Sequence, residues 1–182
     1  HLKKTTDAEI TSLDNYFTGS EQNHIKGVKY IKGDTSNIIN LKKQDVVYHF
    51  GEYSRVVPSF KDVEYLMKTN LLGTSKVIEQ CKKWNAKLIY SASSSKFGGN
   101  ENLSPYSWVK AKMVELIKNY NEWYGLNFEI CYFYNVYGEN HIKKGTYATV
   151  IGIFEQQYLV GHEDIRETAA LIREYKRKDF ST

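Results

Sequence analysis

The stretch AKLIYSAS (86–93) decides the fold. Its apolar run Leu88, Ile89 and Tyr90 stops at the small hydroxylated residues Ser91 and Ser93, as a buried strand does where it leaves the core. Upstream, DVEYLMKTNLLGTSKVIEQCKKWN (62–85) carries apolar residues at helical spacing, with Gly73 allowing close packing against a neighbour. Downstream, 106–124 reads as a long amphipathic helix and LNFEICYFYNVYG (126–138) as another buried strand. Further back lie DVVYHFG (45–51), apolar enough to be covered on both faces, VKYIKGD (28–34) and the alternating AEITSLDN (8–15). Strands and helices that alternate in this way predict an α/β fold, a doubly wound parallel sheet with helices on both faces.

Ligands in such sheets bind at the carboxyl ends of the strands. Those ends are where the polar and small residues fall: Asp14 and Asn15, Asp34, Gly51 to Ser54, Ser91 to Ser95, and Asn135. Pro105 suits a helix entry, because the first turn leaves its backbone donors free in any case.

The 182 residues suit one compact domain, with 41% hydrophobic and 25% charged residues as in a soluble globular protein. Fifteen tyrosines are many, and a tyrosine-rich cleft binds polar ligands well. The net charge of +4 is scattered except for Arg173, Lys176, Arg177 and Lys178, read as a solvated face rather than a nucleic-acid patch. Cys81 and Cys131 have no metal-ligand spacing around them and read as reduced core residues of a cytoplasmic protein. No apolar run approaches the ~20 residues that span a bilayer, so no membrane partner is expected.

Tyr106 and Lys110 are spaced to share one helix face a turn apart. An ammonium near a phenol favours the phenolate and makes a usable general base, although the spacing alone also suits a helix-surface pair. The serine block YSASSSKFGG (90–99) follows a buried strand, and Ser93 lies thirteen residues before Tyr106. A serine hydroxyl there can hold a substrate oxygen while the phenolate removes its proton.

The blocks LDNYFTGS, DVVYHFGEYSRVVPS, TNLLGTSKVIEQC, LIYSASSSKFG, SPYSWVKAK and YFYNVYGEN, in this order, resemble the extended short-chain dehydrogenase/reductase family of nucleotide-sugar epimerases and dehydratases. The branch that they resemble most is UDP-glucose 4-epimerase-like, and the likeness covers roughly residues 7–160. The resemblance implies a Rossmann-like fold that binds NAD. It implies Ser93, Tyr106 and Lys110 as the catalytic trio, with Lys110 also on the nicotinamide ribose. It places Asp14 and Asn15 at the adenosine ribose, Asp34 and Thr35 at the adenine, and Phe50, Gly51, Glu52, Asn70, Ser91 and Phe133 along the cofactor. Ser93, Ser94, Tyr106 and Asn135 would meet the sugar of a UDP-sugar substrate, with Tyr134 beside them. Family dehydratases and decarboxylases resemble one another in a glutamate where this chain has Ser95, which favours epimerisation at C4.

The chain departs from the family pattern at both ends. No Gly-x-x-Gly-x-x-Gly turn precedes AEITSLDN, and HLKKTTDAE resembles the end of the helix after that turn. The first strand and most of the substrate half are therefore expected to be absent, with 1–161 an incomplete cofactor domain and 162–182 a remnant of the substrate region. A non-catalytic fragment of the same fold, or a nucleotide-sugar reductase or dehydratase, are the alternatives. The apolar stripe Met113, Leu116, Ile117 and Tyr120 and the similar face of 62–84 imply, through the resemblance, a homodimer built on helices 62–84 and 106–124, unless both stripes only cover the sheet.

Overall fold

The computed structural model describes residues 1–98, 101–134, 136–138 and 140–159. The chain divides into two compact units, His1–Tyr134 and Asn135–Thr182. Residues 162–182, expected to be a substrate-region remnant, lie outside the described residues.

The first unit opens with a single helical turn, Leu2–Thr5, and continues through strands β1 (Thr11–Asp14), β2 (Lys29–Lys32) and β3 (Val46–His49). A long helix, α1, follows as Val63–Leu66, a π segment Met67–Gly73 and Thr74–Trp84. Then come β4 (Lys87–Ser93), α2 (Pro105–Tyr124) and β5 (Phe128–Phe133). Every ladder is parallel: β1 pairs with β2, and β3, β4 and β5 form a second sheet in that order. Among the described residues no ladder joins the two sheets. This is the parallel α/β architecture that the alternation predicts, and it is Rossmann-like, as the family resemblance implies.

Local chemistry sets the ends of the helices. Ser104 caps α2 by accepting a hydrogen bond from the Ser107 amide (3.0 Å), Pro105 takes the first turn, and Gly125 closes the helix at φ +69°. Asn85 ends α1 in the left-handed region at φ +54°. The two helices pack on each other and on β4, burying Leu66, Ile78, Cys81, Leu88, Val109 and Ile117 completely. Cys81 is inert there, its thiol pushed up to about 12 by burial.

Two expectations change. β3 is covered on one face only: Val46 and Tyr48 stay 44% and 47% exposed, while His49 turns into the core. Within this unit the strand's apolar run therefore does not mark two-sided burial. The second change concerns α2. Of the stripe read as a dimer surface, Met113 and Ile117 are 2% and 0% exposed and pack within this chain, while Leu116 and Tyr120 stay half-buried. Tyr120 at its end donates to Glu79 (2.7 Å), and that bond pushes its phenol up to about 12.

The π segment of α1 brings Gly73 against the turn that follows β2. A methyl group at Gly73 would overlap Thr35 Oγ1. Gly73→Ala is therefore expected to lower stability by about 1–2 kcal/mol, overpacking outweighing the helix propensity that alanine adds. Urea denaturation checks this, and adding Thr35→Ala should recover most of the loss.

In the second unit, α3 (Val150–Leu159) carries Glu155, which pairs with Lys143 (2.8 Å) and His141 (3.4 Å). Gly152 lets the 141–142 backbone lie against this helix, since a Cβ there would come within 2.7 Å of the Ile142 carbonyl oxygen.

Candidate active site

The carboxyl ends of the strands gather the residues that the sequence singles out. At the β1 exit Asp14 is exposed, and its Oδ1 accepts a hydrogen bond from the Tyr16 amide (2.7 Å), which tightens the turn where Tyr16 takes φ +57°. No described cation pairs with this carboxylate. Asn15 Nδ2 donates to Asp34 Oδ1 (2.9 Å) and to Tyr65 Oη (3.1 Å), tying the β1 and β2 exits to α1. Asp34 also caps the turn that begins at Thr35, in a reciprocal arrangement with Asn37. Asp14 is thus left open to solvent, whereas Asn15 and Asp34 are tied to each other at the strand exits.

Phe50 and Phe133 stand at the exits of β3 and β5, both exposed and edge to face at 5.4 Å, with Gly51 open beside Phe50. Asn70 is fully buried, and its amide accepts from the Tyr53 amide and donates to the Tyr53 carbonyl (both 2.8 Å). Its part is to pin the loop after β3, as a satisfied structural amide.

Ser93 sits at the end of β4, in register with Phe133, and its Oγ accepts from the Ser95 amide (3.2 Å), starting the turn that holds Ser94. Tyr106 occupies the first turn of α2 with its ring buried and its amide donating to Ser59 Oγ (3.4 Å). No hydrogen bond joins Ser93 to Tyr106 among the described residues. Asn135 lies outside the described residues, and Tyr134 is exposed.

Lys110 is the centre of a network that the sequence did not disclose. Its ammonium is bonded to the Glu52 carboxylate and to the Ser91 carbonyl, with Ser91 Oγ at 3.5 Å. Glu52, expected to line a cofactor, instead turns its carboxylate inward, with the side chain 2% exposed; only its backbone faces outward. Glu52 Oε1 also accepts from Thr74 (2.8 Å) and Tyr90 (3.2 Å), and His49 Nε2 stands 3.9 Å away. Burial holds the His49 imidazole below its usual value, so it stays neutral, and burial with the Glu52 charge pushes the Tyr90 phenol up. Neither partner could be found from spacing, since Glu52 and Lys110 are 58 residues apart.

The chemistry of these groups fits NAD at the adenosine ribose. An exposed, uncompensated carboxylate such as Asp14 accepts bonds from ribose hydroxyls and repels a 2′-phosphate.

The comparisons agree with this geometry. A relative from Methanocaldococcus jannaschii, whose name refers to UDP-glucose 4-epimerase, is 30% identical over 175 residues, covering 86% of this chain and 57% of the relative. The UDP-N-acetylglucosamine 4-epimerase of Methanobrevibacter ruminantium, solved with UDP-N-acetylmuramic acid, is 28% identical at a TM-score of 0.76, covering 84% of this chain and 56% of that one. The Thermus thermophilus UDP-glucose 4-epimerase, solved with NAD, is 26% identical at a TM-score of 0.72, covering 84% and 55%. The chain thus spans little more than half the length of these relatives. With the profile of the NAD dependent epimerase/dehydratase family matching residues 1–174, and an α2 that carries Tyr106 and Lys110 to the exit of β4, the chain belongs to that family.

Proposed function

We propose that this chain supplies the cofactor site and reaction centre of an enzyme that epimerises a UDP-sugar at C4 through a transient 4-keto sugar. The observation that carries the reading is the delivery of Lys110 to the Ser91 carbonyl by the same helix that opens with Tyr106. NAD, when bound, accepts the C4 hydrogen as hydride and returns it, so none is consumed.

In this reading the Tyr106 oxygen takes the proton of the 4-hydroxyl and gives it back, while Ser93 Oγ holds the 4-oxygen. Asp14 holds the adenosine ribose, the Asn15, Asp34 and Thr35 rim borders the adenine, and Phe50, Gly51, Ser91 and Phe133 line the cofactor's path. Ser94 is assigned to the sugar, and so, on the family pattern alone, is Asn135, which lies outside the described residues. Ser95 favours epimerisation over dehydration, because its hydroxyl cannot serve as the carboxylic acid that loss of water requires. A cytoplasmic homodimer built on α1 and α2, which keep apolar residues such as Leu72 and Trp123 exposed, is part of the proposal.

The test uses the full chain. Bound NAD should be released on denaturation, and UDP-glucose or UDP-N-acetylglucosamine should equilibrate with its C4 epimer without net formation of NADH. Stoichiometric use of added cofactor would instead mark a reductase, and no bound cofactor with no turnover would mark a non-catalytic fragment. Asp14→Ala is expected to erode the preference for NAD over its 2′-phosphorylated form by about tenfold, read from the two binding constants.

A further inference from the structure

We propose that Glu52 is a positioning residue for Lys110: its buried carboxylate fixes the lysine ammonium beside Ser91 of β4, one helical turn along α2 from Tyr106. The inference rests on reading Tyr106 and Lys110 as the reaction centre.

The geometry points this way on three grounds. First, Lys110 is 5% exposed, and its long side chain has rotamer freedom that burial alone would not quench. The Glu52 carboxylate and the Ser91 carbonyl take two of the three ammonium donors, with Ser91 Oγ 3.5 Å away, and so fix where it sits. Second, Glu52 is itself held. Thr74 from α1 and Tyr90 from β4 donate to Oε1, leaving Oε2 for Lys110. His49 of β3 bonds to Thr74 Oγ1 (2.7 Å) from behind. Elements β3, β4, α1 and α2 thus meet on one carboxylate. Third, stability alone is a weak reason for such a pair, because well-packed apolar residues of similar volume often serve as well or better than a buried ion pair.

The charged and titratable groups around the pair are few. Among the described residues they are His49 from β3, Tyr90 from β4 and Tyr106 from α2, while α1 presents Thr74, which carries no charge. Glu52 is therefore the single anion available to hold the cation in this pocket. A carboxamide in its place would still accept one hydrogen bond but would bring no charge, and the ammonium would be free to leave Ser91.

The experiment uses lysine labelled with nitrogen-15 in the full chain. An ammonium fixed in a buried pair exchanges its protons slowly, so wild type should show one protected Lys110 cross-peak, identified by its loss in Lys110→Arg. Glu52→Gln should abolish the peak and lower kcat for UDP-glucose or UDP-N-acetylglucosamine by about tenfold or more with KM nearly unchanged. Glu52→Asp, which keeps the charge, should retain the peak and most of kcat. A cross-peak that persists in folded Glu52→Gln, or a kcat that does not fall, overturns the proposal. If Glu52→Gln does not fold, wild type decides, since the absence of a protected Lys110 peak is equally fatal. If wild type turns over neither sugar and holds no NAD, the epimerase reading fails, whereas the cross-peaks still report whether Glu52 fixes Lys110.

Discussion

Tyr106→Phe in the full chain is expected to lower kcat for UDP-sugar epimerisation by about a thousandfold, within the range that a general base contributes, while KM and bound NAD stay near wild type. The structure makes this substitution unusually clean. The Tyr106 ring is buried at the start of α2, so phenylalanine keeps its packing. The Tyr106 hydroxyl makes no hydrogen bond among the described residues, so its loss strands no partner, and the amide contact to Ser59 belongs to the backbone. The denaturation midpoint should therefore hardly move. An interaction made only as the proton is transferred lowers kcat and kcat/KM together. A fall of less than about tenfold would remove Tyr106 as the base, since general-base losses begin near a hundredfold.

How far the sequence leads depends on the distance over which each signal acts. The strand at 86–93 and the helix at 62–85 were legible because period-2 and helical spacing are local, and the observed Lys87–Ser93 and Val63–Trp84 fall within a residue or so of those bounds. The opening Tyr-x-x-x-Lys spacing was legible for the same reason. The π segment was not, since its composition is that of any helix and only packing against Thr35 distinguishes Gly73. Burial was harder still. β3 is apolar enough for two covered faces, yet its exposure depends on which elements lie over it, and periodicity carries no information about that. Asn70 and Glu52 illustrate the same limit at the site. Glu52 follows a strand exit, where polar residues suggest ligands, and Asn70 comes from the family resemblance, but both turn inward to satisfy groups contributed by other elements. Of the candidate residues, Asp14, Gly51, Phe50 and Phe133 are exposed; strand-end position alone points to the first two, whereas Phe50 and Phe133 follow only from the family resemblance.

Lys110→Met is expected to cost about 3–5 kcal/mol of stability, because it leaves the Glu52 carboxylate buried without a counter-charge. Against the roughly 5–15 kcal/mol that holds a typical domain, that loss is large enough to show as partial unfolding at 37 °C. The local bonds do not rescue it. Thr74 and Tyr90 already donate to Oε1, so Oε2 would lose its partner, and His49, neutral and 3.9 Å away, brings no positive charge. The decisive comparison is the double variant Glu52→Gln/Lys110→Met, in which neither charge remains. It should recover stability to within about 1–2 kcal/mol of wild type, giving a coupling energy well outside the additive range. Denaturant midpoints at pH 7 for wild type, the two single variants and the double variant measure this. If the double variant were as unstable as Lys110→Met, the loss would lie in the packing of the lysine stem rather than in its charge. If it recovers stability while remaining inactive, the ion pair contributes little to the fold, and its place beside Ser91 belongs to the chemistry.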